Sequence, residues 1–233
     1  YIEYGDVNGD GYLNILDVVT LVNWVVYGDI DCAGVSGHLK DSNGNSVKDA
    51  AILLTYDLGQ GMYRTNMPCT SLTYSLPASS DVYVWIESMC GDTINVIVDE
   101  YKDAGYYTHT WCADDLNGNT VVDGNYIAHL ITNGSESNQN IFLLQYDFSE
   151  LESIGSQNYH AMTDNNGIFT IPFDCLSFGI ELLGMDEFGN PTDNIIVPYK
   201  TQVWIIHNDY PTFSTDWYDV DSNNGVFLNI DIP

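Results

Sequence analysis

The chain has 233 residues, 45% of them hydrophobic, which is enough apolar material for one or two domains with packed cores. Against 33 acidic residues stand only 5 lysines and arginines, a formal net charge of −28 that repels phosphate backbones and anionic lipid, so nucleic acid and membrane surfaces are not expected partners. No apolar run reaches the roughly 18 residues of a membrane helix, and the densest, Ile15 to Val26, is interrupted by Asp17, Thr20 and Asn23.

The acids comprise 25 aspartates and 8 glutamates, many of them beside Asn and Gly, a composition that suits tight turns, calcium loops and carboxylate-rich surfaces in salty water. A start at Tyr1, without an initiator Met or signal peptide, reads as a processed, secreted chain. Residues 6 to 17 place oxygen side chains at loop positions 1, 3, 5, 9 and 12, namely Asp6, Asn8, Asp10, Asn14 and Asp17, with Gly11 at position 6 and the Tyr12 carbonyl at position 7. A hard cation needs six to eight oxygens, and a tightly wound loop turns alternate side chains inward to supply them. Calcium is therefore the expected cofactor. Asp17 stands where an EF-hand carries Glu, and an apolar helical segment follows the loop while none precedes it. Residues 5 to 27 in this respect resemble a repeat of the type I dockerin family. The apolar residues of Ile15 to Val26 go almost all round the helix, so that helix is expected to be covered on more than one side.

The five cysteines, at 32, 69, 90, 112 and 175, form no C-x-x-C pair, and disulfides are a better expectation than zinc. Cys32 and Cys112 bracket a β segment that contains Cys69 and Cys90. The expected bonds are Cys32–Cys112 and Cys69–Cys90 with Cys175 free, although even four cysteines allow three connectivities. Within the segment, residues 35 to 54 read as a strand, an Asx-Gly turn and a second strand entered through small residues. This resembles the start of the carboxypeptidase regulatory-like β-sandwich family. Further strands are expected at 72–76, 82–88, 93–99 and 106–111.

A gapless match to the first loop begins at Asp115, with Asn117, Asn119, the Val121 carbonyl and Asp123 at ligand positions and Ile127, Leu130 and Ile131 in helical spacing behind them. Thr120 replaces the turn glycine and Tyr126 the last ligand, so this second site is expected to be weaker. Strands are then expected at 140–148, 158–163, 167–173, 179–184, 195–199, 203–207 and 225–232, and residues 163–172 resemble a turn and strand of the same sandwich family. The fold expected is mainly β: two Ig-like or regulatory-like β-sandwiches with a small dockerin-like calcium-loop helix pair. Its domains are 1–31 with 113–134 as the calcium element, 32–112 as an inserted first sandwich, and 135–233 as a second. A single larger sandwich with the helices on its edge is the competing arrangement.

No metalloprotease pair, nucleophile elbow or phosphate-binding glycine loop occurs, and the five histidines are scattered, so no enzyme is expected. A carboxylate pair for glycoside cleavage leaves no spacing signature. Trp85, Trp111, Trp204 and Trp217 are candidates for a sugar-stacking platform, though core positions are the commoner fate of strand aromatics. Asn133-Gly-Ser135 is a glycosylation sequon, and 219–225 open like a calcium loop but read as a turn. The terminal strand, with Val226, Leu228, Ile230 and Ile232 on one face, completes its own sheet or a neighbour's. These features point to a secreted, calcium-binding structural protein of the cell surface or extracellular space that self-associates into a homopolymer, or else to a docking or carbohydrate-binding accessory module with surface proteins or glycans as partners.

Overall fold

A computed structural model describes residues 34–58, 69–143, 158–182 and 193–232. The first calcium loop, with Asp6, Asn8, Asp10, Tyr12, Asn14 and Asp17, and Cys32 lie outside the described residues, as does the helix expected at 15–26. The described chain is mainly β. Its strands are β1 (Gly34–Lys40), β2 (Ala51–Tyr56), β3 (Thr70–Leu76), β4 (Ser80–Ser88), β5 (Thr93–Lys102), β6 (Gly105–Trp111), β7 (Gly124–Thr132), β8 (Ser135–Leu143), β9 (Ala161–Met162), β10 (Ile168–Pro172), β11 (Glu181–Leu182), β12 (Ile195–Ile196), β13 (Lys200–His207), β14 (Tyr210–Asp219) and β15 (Val226–Asp231), with one 3-10 turn at Phe173–Cys175.

The strands build two sandwich-like bodies. In the outer body a three-stranded sheet, β10-β1-β15, and a four-stranded sheet, β14-β13-β2-β9, share one core that includes Val35, Leu39, Ile52, Leu54, Phe169, Val203, Ile205, Leu228 and Ile230. Strand β2 reads Ala-Ile-Leu-Leu-Thr-Tyr without polar alternation because it is buried on both faces: Ile52, Leu54 and Tyr56 enter that core, while Ala51 and Leu53 pack with Ile206, Val122 and Trp204 on the other side. In the middle body the ribbon β3-β6 and the sheet β5-β4-β7-β8 share a second core that includes Leu72, Val84, Ile86, Val98, Trp111, Tyr126 and Ile141.

The strand pairing departs from the expected boundaries. β1 and β2, placed by sequence in a sandwich spanning 32–112, pair instead with β10, β15, β13 and β9. The inserted unit is therefore the middle body, which leaves the outer one after β2 and returns before β9. β15 lies parallel to β1, from Val35↔Val226 to Lys40↔Asp231, and so completes a sheet of its own chain.

The helix expected behind the second loop is also corrected, since its residues form β7. Ile127, Leu130 and Ile131 fit a helical spacing, but Tyr126 and Ala128 are buried in the middle core at a spacing of two, and both edges of β7 are hydrogen-bonded, to β4 and to β8. Pairing on two sides overrides a local pattern compatible with either period. The β7–β8 turn holds Asn133 and Gly134, both with positive φ (49° and 77°), so the glycosylation sequon sits on an exposed hairpin tip.

The disulfides are corrected too, joining Cys69 to Cys112 and Cys90 to Cys175. Cys69 precedes β3 and Cys112 follows β6, and the register Thr70↔Trp111 sets them opposite one another. Cys90 lies in the β4–β5 turn of the middle body and Cys175 in the 3-10 turn of the outer one, so this bond ties the bodies together. Two such bonds belong to an oxidising environment. Among the described residues no helix is long and apolar enough to cross a membrane.

Candidate functional site

The polar side chains that converge in this protein do so where the two bodies meet. The segment 120–126 approaches β2, and Gly124 permits the contact: its φ is +146°, and a Cβ there would stand 3.1 Å from the Ser177 hydroxyl oxygen. Beside it the Asp123 carboxylate, 1% exposed, accepts the Thr55 hydroxyl at 3.0 Å. The Asn125 backbone N–H donates to Ser177 Oγ at 2.8 Å, and the Ser177 N–H donates to the Tyr56 hydroxyl at 3.2 Å. Burial pushes that phenol up to about 12. Tyr126, likewise raised by burial, donates its hydroxyl to the Val122 carbonyl at 2.9 Å.

His160 bridges the bodies. Its Nδ1 accepts the Leu54 N–H at 3.0 Å, taking over on the edge of β2 where the two-residue β9 stops, and its Nε2 donates to the Asp123 carbonyl at 3.1 Å. That arrangement fixes one neutral tautomer, since Nδ1 must stay unprotonated to accept. Burial lowers its pKa to about 4, against a smaller upward pull from the Asp123 carbonyl. Both ring nitrogens face onto backbone groups.

Around this network lies a cleft of about 190 Å³, lined by Ser88, Met89, Asp92, Asn125, Tyr159 and the Cys90–Cys175 disulfide among others. Sequence reasoning missed the joint, apart from Asp123, because its members come from five separate segments. The Gly124-Asn125 pair and the polar Thr55 ending an apolar run were the only local signals.

The second expected calcium loop is organised around Asp115. Asp115 Oδ1 accepts the N–H groups of Asn117 and Asn119, both at 2.8 Å, and Asp115 Oδ2 accepts the Asn119 side-chain amide at 3.1 Å. Burial pushes the Asp115 carboxyl up, but the hydrogen bonds from Asn119, Asn117 and Asn158 together hold it below the usual range. Val121 is buried with its N–H on the Ala113 carbonyl, and Asp123 faces Thr55. Asp115 thus organises the turn with its Asn partners, while Asp123 reaches the joint. The same turn recurs: Asp41 accepts the N–H groups of Asn43 and Asn45, Asp164 those of Asn166 and Ile168, and Asp221 those of Asn223 and Asn224. The segment 219–225 is accordingly a turn. Among the described residues no group of three or more His, Cys, Asp or Glu side chains is placed to hold a metal ion.

The four candidate tryptophans, Trp85, Trp111, Trp204 and Trp217, do not assemble into one platform. Trp111 is core, Trp204 packs at the joint, and Trp217 lies on β14 with the Lys200 ammonium 5.7 Å from its ring centroid. Trp85 stands on the outward side of β4, with the His129 ring stacked on it at 4.5 Å and Tyr83 at 5.0 Å. His129 in turn meets Glu136 at 2.9 Å.

No protein-family model matches the chain, and no curated protein matches it. Among solved structures the chain is similar to FlgD from P. aeruginosa, with 22% identity over 42% of this chain and 73% of that one, at a TM-score of 0.26.

Proposed function

We propose that this chain is a non-catalytic, calcium-binding structural unit of an extracellular assembly, which self-associates into a fibre or surface array. The observation that carries the reading is the joint: two β bodies held together by a shared network of buried hydrogen bonds and by a disulfide, a construction suited to transmitting position and load. The polar groups of the network serve one another, and His160 has both nitrogens occupied, so the convergence of side chains that elsewhere would suggest a catalytic centre serves rigidity here. The bonds Cys69–Cys112 and Cys90–Cys175 suit secretion. Calcium is assigned to Asp6, Asn8, Asp10, Tyr12, Asn14 and Asp17, where a folded loop that binds the ion gains stability by mass action. Electron microscopy of the untagged protein in millimolar calcium, repeated after chelation, tests this. Regular filaments that disorder on chelation support it, and discrete monomers in both conditions would sink it.

A further inference from the structure

The cleft beside the joint contains one group that the network does not use. Asn125 is 3% exposed, and its side-chain Nδ2 is engaged, with Asn140 Oδ1 at 3.2 Å and the Met89 thioether at 3.3 Å. Among the described residues its Oδ1 has no hydrogen-bond partner, and it has no contact with solvent. An amide oxygen buried without a donor is costly, and such a group in a cleft wall marks a place where a donor belongs. Met89 packs on the same amide, its sulfur 3.3 Å from Nδ2, and Met is an unbranched side chain that repacks easily.

The remaining liners say what kind of donor. Among the described residues no Lys or Arg lines the cleft and the Asp92 carboxylate at its rim has no ion-pair partner, and the whole chain carries −28. Asn125 Oδ1 and the Asp92 carboxylate are acceptors in a negative field, which turns away anions and favours a donor-rich ligand. Tyr159, 42% exposed, offers an aromatic face at the mouth. Acceptors within, a ring at the entrance and a volume of about 190 Å³ together match one sugar ring, whose hydroxyls donate and whose C–H face lies against an aromatic.

We infer that the cleft is a binding site for a neutral saccharide residue, in which a sugar hydroxyl donates to Asn125 Oδ1 after Met89 swings aside, others donate to Asp92, and Tyr159 stacks on the ring. This site does not depend on the structural reading above, and a self-associating subunit with such a cleft would also hold a glycan surface.

Proton–nitrogen correlation spectra of the full chain, titrated with glucose, galactose, mannose and N-acetylglucosamine to tens of millimolar, test it, with glucosamine as a cationic control. One of the neutral sugars should shift the Asn125 side-chain amide together with the Ser88 and Gly124 backbone signals, with the millimolar affinity usual for a small ligand. Tyr159→Ala, at an exposed position that should not disturb folding, should weaken that response about 3- to 10-fold, the usual worth of one aromatic contact. Met89→Ala should strengthen it by uncovering Asn125. No shift with any neutral sugar, shifts confined to other surfaces, a response unchanged in Tyr159→Ala, or a response to glucosamine alone would each overturn the assignment.

Discussion

The middle and outer bodies reach similar β architecture by different routes. In the middle body the sheet β5-β4-β7-β8 is made largely of sequence neighbours, with β4 and β5 joined by a tight turn and β7 and β8 by the Asn133-Gly134 hairpin. In the outer body four of the five pairings in its two sheets span the insertion: β1 meets β10 and, from the far end of the chain, β15, and β2 meets β9 and β13. Loop closure must come before such contacts are rewarded, so the middle body is the unit able to form early, and the outer body depends on the return of the later strands. The joint is where the late body is locked onto the early one.

Breaking the covalent part of that lock gives the largest expected effect. Replacing Cys90 and Cys175 by Ser removes a cross-link spanning 85 residues, for which chain entropy alone assigns about 4.6 kcal/mol. Urea unfolding should separate into two transitions, the outer body melting first. Removing Cys69–Cys112, which spans 43 residues inside the middle body, should instead lower that body without uncoupling the two. Identical single transitions in both variants would contradict the distinction.

Acid should loosen the same joint through His160. Its pKa of about 4 in the folded protein lies below the ordinary 6.5, so between these values the unfolded chain takes up a proton that the folded one refuses. Stability is therefore unaffected above pH 6.5 and falls as pH drops through 4, by roughly 3 kcal/mol in all. Glutamine at position 160 should flatten that limb of the stability curve, measured by urea titration at several pH values, and an unchanged slope would remove His160 from the account. The Asx turns titrate in a lower window. Asp41 and Asp221, held below 3.8 by their Asn partners, contribute stability that is lost only as pH falls below that value.

Thr55→Val tests the hydrogen-bonded part of the joint. It preserves shape but leaves the buried Asp123 carboxylate without that donor, an expected loss of about 1–3 kcal/mol by thermal melting. The smallest effect is expected from Asp41→Ala, at an exposed turn of the outer body remote from the joint, where only the local amides around Asn43 and Asn45 should exchange faster.

Legibility in the sequence follows the same division. The strands of the middle body, bounded by turn residues, lie close to where β3, β4, β5 and β6 are found, because alternation and turn chemistry are local signals. β14 had no such signal: Pro211, scattered aromatics and a register broken twice against β13 hide an edge strand. The pairing of β1 with β15 and the bond Cys90–Cys175 escaped because both are set by tertiary approach across the insertion. At Asp115 the same oxygen spacing fits a calcium loop and an Asx turn, and the structure shows the turn's hydrogen bonds to Asn117 and Asn119. The joint was hidden for a similar reason, since Thr55, Asp123, Asn125, His160 and Ser177 form no motif until the bodies meet.

The central claim is that the two bodies act as one rigid unit, and residual dipolar couplings in the full chain measure this directly. Couplings from the outer strands and from the middle strands should fit one common alignment tensor at neutral pH. Two tensors of different magnitude or orientation would show bodies that move independently, and would contradict the account.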